Sequence, residues 1–211
     1  MASLQDIVAR TGAFKPIYYL PMYERLFAPI RFQPFSMLEL GIWNGGSVKA
    51  WEDYLPQARI AALDLNVPEL DVGPRVHLYA GDQTDTALLS RIAAEVAPEG
   101  FDVIIDDASH VGAMAKTSFW HLFDMHLKAG AYYCIEDWGT GYMPSWPDGR
   151  EFVPEPDTPS RMPSHDVGLV GFVKQLVDEI HADLITPEGR VSKFASVSLY
   201  AGLCIIQKLP V

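Results

Sequence analysis

FDVIIDDASH (residues 101–110) and AGAYYCIEDW (residues 129–138), with a helix-length stretch between them, decide how this chain folds. Two apolar runs, residues 103–105 and 131–135, each end in a pair of acids, Asp106–Asp107 and Glu136–Asp137, and His110 follows closely on the first pair. Short apolar runs bounded by glycine and acids are the pattern of strands buried on both faces of a parallel sheet. A helix-length connection fits the right-handed crossover between two such strands. Ligands of open α/β sheets bind at the carboxyl ends of the strands. If the two strands are neighbours, four carboxylates and one imidazole converge at one rim. Such a gathering calls for a cation or a protonation to relieve it.

The flanking chain repeats the strand–helix alternation. Residues 36–40 read as a strand that carries Glu39 near its end. GIWNGGS (residues 41–47) follows as a glycine-rich turn, and a helix over 47–54 comes next. Gly41, Gly45 and Gly46 let the backbone approach a ligand closely, and Asn44 of the same turn is a candidate cofactor contact. The turn is not a strict G-x-G-x-x-G fingerprint. Residues 59–65 form a second strand with Asp64 at its end. There an acid either accepts hydrogen bonds from ribose hydroxyls or caps a turn. A third strand over 76–80 leads into Asp82 and Gln83, which either pair with an adenine edge or cap the helix expected over 86–96. The remaining elements are a strand over 102–105, a helix over 112–128, a strand over 131–135 and a helix over 166–181. Two closing strands, 191–197 and 199–207, form an antiparallel edge pair joined at Ser198.

Two stretches depart from this rhythm. Residues 14–35 are rich in aromatics and proline, and Tyr18, Tyr19 and Tyr23 there read either as core or subunit-interface residues or as a flap over a ligand. Residues 139–165 lack periodicity and hold many prolines together with Tyr142, Trp146 and Phe152, the composition of a lid-like insert. The Phe119, Leu122, Phe123 and Leu127 stripe reads as core.

Composition narrows the partners. With 211 residues and a formal net charge of -11, the chain is sized for one large domain and shows no basic stripe for nucleic acid. No apolar stretch reaches membrane-helix length and the first residues lack a signal-peptide core, so a cytoplasmic protein without membrane or nucleic-acid partners is expected. Cys134 and Cys204 sit in apolar runs as buried core residues. A homo-oligomer is expected.

Glu39–Leu40–Gly41 with GGS, then Asp64, then Gly81–Asp82, resemble in that order the motifs of class I S-adenosylmethionine-dependent methyltransferases. The more specific match is IIDDASH, a helix and YCIEDW. It resembles the metal-dependent sugar O-methyltransferases of macrolide and related pathways, the mycinamicin and rhamnosyl group, with cephalosporin-hydroxylase-named relatives. KPIYYLPMYERLF (residues 15–27) is similar to the lead-in these proteins carry. The resemblance implies an α/β, Rossmann-like, doubly wound fold. Its seven-stranded sheet is mostly parallel with an antiparallel last strand, and helices cover both faces. A lead-in over 1–35 then precedes a methyltransferase domain over 36–211. The resemblance further implies S-adenosylmethionine at Glu39, Gly41, Asp64 and Asp106, with Gln83 beside them. It implies a divalent metal, usually Mg²⁺, on Asp107, Glu136 and Asp137, and His110 as general base.

The chemistry suits those residue types. A sugar hydroxyl is almost wholly protonated at neutral pH, and a bound cation lowers its pKa and orients it. Mg²⁺ takes hard oxygen ligands and keeps open positions for substrate. Adjacent residues 136 and 137 can share one ion only if the strand ends there and the chain turns, and Gly139 is the residue expected to permit it. The expected activity is methyl transfer to a hydroxyl of a small molecule, a sugar or glycoside. The alternatives are a nicotinamide-dinucleotide oxidoreductase and a non-catalytic cofactor-binding protein of the same fold.

Overall fold

The computed structural model describes residues 2–152, 165–186 and 188–210. Helices α1 (Leu4–Thr11) and α2 (Leu20–Phe27) precede an alternation of β1 (Phe35–Leu40), α3 (Gly46–Tyr54), β2 (Ala58–Asp64), β3 (Val76–Ala80), α4 (Thr86–Val96), β4 (Phe101–Asp106), α5 (Gly112–Met125) and β5 (Leu127–Glu136). Two 3-10 turns, Trp138–Tyr142 and Asp148–Glu151, open the insert. Helices α6 (Gly168–Glu179) and α7 (Ala182–Ile185) and strands β6 (Phe194–Leu199) and β7 (Leu203–Lys208) complete the described chain. The strands form one seven-stranded sheet in the order β3-β2-β1-β4-β5-β7-β6. β1 to β5 are parallel, and β7 lies antiparallel between β5 and β6.

Successive strand residues alternate faces, and each face has its own core. Leu38, Leu40, Ile104, Tyr133 and Ile135 pack with α4, α5 and α6. Met37, Ile60, Val103, Ile105 and Cys134 pack with α1, α2 and α3. The lead-in therefore belongs to the second core: Leu4, Tyr23 and Phe27 are fully buried there. Ser3 and Asp6 start α1 as a capping box.

Several boundaries differ from expectation. The last hairpin turns at residues 200–202, not at Ser198, because Gly202 takes φ +76° there while Ser198 stays paired with Ile205. Ala129–Gly130 do not end a helix: α5 stops at Met125 and β5 already runs from Leu127, with a register shift against β4 beside it. The chain leaves β5 at Asp137 itself, which adopts φ 52° and ψ 28°, so the turn does not wait for Gly139. Of the expected lid, residues 139–142 and 148–151 lie in the two short 3-10 turns, while residues 153–164 lie outside the described residues. No helix among the described residues is long and apolar enough to cross a membrane.

Candidate active site

Strand pairing brings the two acid pairs together. β4 and β5 are parallel neighbours with Asp106 opposite Ile135. The pleat then sorts the acids. Glu39, Asp107 and Glu136 share parity with Ile105 and Cys134, so they turn to the α1–α3 side; Asp106 shares parity with Ile104 and turns the other way. The four carboxylates expected at one rim are thus divided, and Glu39 joins three of them.

On the α1–α3 side the acids meet a cation that the sequence reading passed over. Lys15, its side chain 1% exposed, places Nζ 2.6 Å from Asp107 Oδ2, 2.8 Å from Glu136 Oε1 and 3.4 Å from Glu39 Oε1. Burial alone would lower its pKa. Asp107, Glu136 and Glu39 outweigh burial and hold the ammonium well above the ordinary lysine range. Tyr23 donates its hydroxyl to Glu136 Oε1 at 2.6 Å, and Tyr19 donates to Asp137 Oδ1 at 2.6 Å. Lys15 lies in the irregular chain before α2, Tyr19 immediately precedes that helix and Tyr23 lies within it. The lead-in is a wall of donors for the acid rim, and only Tyr18 of its three tyrosines faces solvent.

Glu136 is consequently held inward. It is 1% exposed, and burial followed by the nearby charge of Asp107 pushes its pKa up against the opposing Lys15 and Tyr23. Glu39 is fully buried under the glycine turn, accepting from Trp51 Nε1 and Ser47 Oγ at 3.1 Å each; burial raises its pKa.

The glycine turn is closed by Asp64. Its Oδ2 accepts from the Ile42 amide at 2.7 Å and the Trp43 amide at 3.0 Å, and Oδ1 accepts from Asn66. Burial works to raise the Asp64 pKa, but these backbone amides together hold it below the usual carboxylate range. Asp64 thus shapes the glycine-rich loop by bonding its backbone. Asn44 accepts from Gly46 N and donates to Gly12 O, tying the turn to the end of α1. Gly41, at φ +97°, lies so close to the next loop that a Cβ there would sit 2.1 Å from the Asp107 carbonyl oxygen. A pocket opens at this junction, lined among others by Phe14, Lys15, Gly41, Trp43, Asn44 and Asp107.

Asp106, Gln83 and Asp82 do not line that pocket. Asp106 is 3% exposed, takes hydrogen bonds from Ser118, Tyr133 and Gln83, and has its pKa pushed up to about 6 by burial. Gln83 accepts from the Ser109 amide at 3.0 Å and so supports the loop bearing His110 from below. Asp82 accepts from the Thr84 amide and hydroxyl, whereas the cap of α4 is Asp85. Asp106 and Gln83, both expected at the cofactor, are joined to each other, to Ser118 and to the Ser109 amide in one buried network.

At the open rim, Asp107, His110 and Asp137 each offer one ligand atom, all within 4.8 Å of one another. His110 Nε2 lies 3.8 Å from Asp107 Oδ1, and the Trp146 ring meets the imidazole edge-on at a centroid distance of 5.0 Å. Glu136 stays outside this group, drawn to Lys15. Among the described residues the non-glycine positions with positive φ are Trp43, His110 and Asp137, one on each loop of the rim. Non-glycine residues held there cost on the order of 1–3 kcal/mol each and cluster where function over-determines the backbone. The two carboxylates suit a hard divalent cation that keeps other positions open, and the imidazole stands beside them as a group able to take a proton.

No family model matches the chain. It is 35% identical over 204 residues to the 8-demethyl-8-(2-methoxy-alpha-L-rhamnosyl)-tetracenomycin-C 3'-O-methyltransferase of Streptomyces olivaceus, covering 90% of this chain and 49% of that protein. It is 34% identical over 185 residues to the mycinamicin VI 2''-O-methyltransferase of Micromonospora griseorubida, covering 82% of this chain and 42% of that one. Among solved structures, the MycE methyltransferase of the mycinamycin biosynthetic pathway, in complex with Mg, SAH and mycinamycin VI, superposes with a TM-score of 0.79 at 30% identity, over 99% of this chain and 54% of that one. The chain spans about half the length of the curated relatives it matches. Over that shared half it is a relative of the sugar O-methyltransferases of the tetracenomycin and mycinamicin type, built on the class I methyltransferase fold.

Proposed function

We propose that this chain carries out S-adenosylmethionine-dependent, divalent-metal-assisted methyl transfer to a hydroxyl of a small molecule, a sugar or glycosylated natural product. The observation that carries the proposal is the rim itself: Asp107, His110 and Asp137 converge at the strand ends, beside a pocket under the glycine turn. The relatives' names, and the Mg and SAH in the MycE complex, support it.

In this reading Asp107 and Asp137 would hold the metal, usually Mg²⁺, and Glu136, expected as a third ligand, would have to turn away from Lys15 to join them. When bound, the cation lowers the pKa of the acceptor hydroxyl and fixes its place. Lys15 and Tyr23 pin Glu136, and Tyr19 orients Asp137, so the carboxylates are positioned before substrate arrives. His110 receives the hydroxyl proton at Nε2, the nitrogen that faces Asp107. Gly41, Asn44 and the Asp64-closed turn seat the cofactor. Trp146 beside His110 gives a flat apolar surface for the acceptor.

Calorimetric titration with S-adenosylhomocysteine and with NAD tests the cofactor. Saturable binding of the first and none of the second supports the proposal; the reverse favours the oxidoreductase. Asp64→Ala should weaken the first by opening the turn, and unchanged affinity would remove Asp64 from the cofactor site.

A further inference from the structure

The insert after β5 is fastened to the rim through one carboxylate. Asp148 Oδ2 accepts from the Gly112 amide at 2.7 Å and from the Leu169 amide at 2.7 Å. Gly112 is the first residue of α5 and Leu169 the second of α6. Neither helix has a side-chain cap from its own N-cap residue, Val111 or Val167. Asp148 therefore caps two helices from a third element, with both positive helix ends aimed at its negative charge. The junction leaves no room for an alternative. A Cβ on Gly112 would lie 2.2 Å from the Gly168 carbonyl carbon, and one on Gly168, at φ +63°, would lie 2.5 Å from Asp148 Cβ.

What this junction fixes is the pair beside it. His110 stands two residues before Gly112, in a left-handed conformation at φ 53°. Trp146 stands two residues before Asp148, and the two rings meet edge-on. The same carboxylate thus anchors the base-bearing loop, through α5, and the aromatic wall, through its own 3-10 turn. We infer that Asp148 is a positioning residue for methyl transfer: it sets the imidazole of His110 against Trp146 and holds both at the acid rim. The inference rests on the proposed function for what that geometry serves, and on the hydrogen bonds alone for the geometry.

The test reads the ring contact directly. In a proton–nitrogen NMR spectrum of the whole chain, the indole N–H of Trp146 is identified by its loss in Trp146→Phe. His110→Ala should move that resonance in the wild-type background, because the imidazole ring current is removed. In an Asp148→Ala background the same His110→Ala change should leave it in place, and Asp148→Asn, which keeps an acceptor oxygen, should restore the response. Should Asp148→Ala not fold, Asp148→Ser, which can serve one amide but not two, is read in the same way. With a working acceptor, kcat should fall about 10²-fold in Asp148→Ala, the scale of a displacement of about 1 Å at a reacting group. Affinity for S-adenosylhomocysteine should stay unchanged. A Trp146 resonance that answers His110→Ala equally with and without Asp148, in a protein that is merely less stable, would reduce Asp148 to a helix cap and overturn the inference. If the wild type transfers no methyl group, the functional proposal falls, while the NMR cycle still decides the positioning.

Discussion

The two acid pairs that end β4 and β5 look alike in sequence and are handled in opposite ways. In each pair the first acid is buried, Asp106 at 3% exposure and Glu136 at 1%, and the second reaches the open rim. Asp106 falls on the α4–α6 side, where Ser118, Tyr133 and Gln83 offer only neutral donors and burial pushes its pKa up to about 6. Glu136 falls on the α1–α3 side and receives an ammonium and a phenol from the lead-in. Burial makes both acids hold a proton more tightly, but only Glu136 also faces a counter-ion, which opposes that shift. The difference teaches that the lead-in belongs to the site's electrostatics as much as to its cover.

Removing Lys15 should break this comparison most severely. Lys15→Met leaves Glu39, Asp107 and Glu136 facing one another without their cation, and breaking a buried ion pair by deleting one partner costs about 3–5 kcal/mol. Urea denaturation measures it; a loss below about 1 kcal/mol, the range of an exposed pair, would show that the cluster is not closed to water.

Asp106→Asn should act next, and in a pH-dependent way. A carboxyl whose folded pKa is raised from 3.8 to about 6 favours folding below the lower value and loses that advantage as pH rises through the upper one. The wild type should therefore lose about 3 kcal/mol relative to Asp106→Asn as pH climbs across that window, at about 1.4 kcal/mol per unit, and no more above it. A difference that stays flat across the window contradicts the buried neutral-donor environment.

The tyrosines grade the donor wall. Tyr23→Phe removes a hydrogen bond to a buried carboxylate and should cost about 1.5–3 kcal/mol. Tyr19→Phe should cost less, because water reaches the half-buried Asp137 that it leaves. Equal losses would mean that Asp137 is as enclosed as Glu136.

The cysteines give the finest reading, since each core holds one of them: Cys134 with α1–α3, Cys204 with α4–α6. Burial raises both thiols, Cys204 to about 12, so neither should react with a thiol reagent at pH 8 while the chain is folded. In Lys15→Met, Cys134 should become reactive before Cys204. The opposite order would place the weakened region on the wrong face.

Much of this was legible in the sequence, for identifiable reasons. Apolar runs ending in acids gave the parallel strands, and the glycine turn gave the first loop, because both follow from backbone geometry that few residue types satisfy. The parity of the pleat was equally readable: Asp106 and Asp107 are adjacent and must face opposite ways in a strand. Lys15 was not legible as a partner, because its carboxylates lie as far as 121 residues away along the chain. Asp148 was hidden for the same reason, in a stretch with no periodicity. The turn at Asp137 escaped because a non-glycine residue holds the left-handed conformation that Gly139 seemed placed to supply. Such positions are where local rules give way to function.

The claim that the rim binds a metal for methyl transfer meets its most direct test in transfer of a labelled methyl group from S-adenosylmethionine to rhamnosyl and related glycosides. The assay is run with Mg²⁺, with EDTA, and with EDTA followed by excess Mg²⁺. The account predicts transfer that EDTA abolishes and Mg²⁺ restores in the wild type, and that Asp107→Ala and Asp137→Ala each lose while still binding S-adenosylhomocysteine. Full transfer in the presence of EDTA would contradict it.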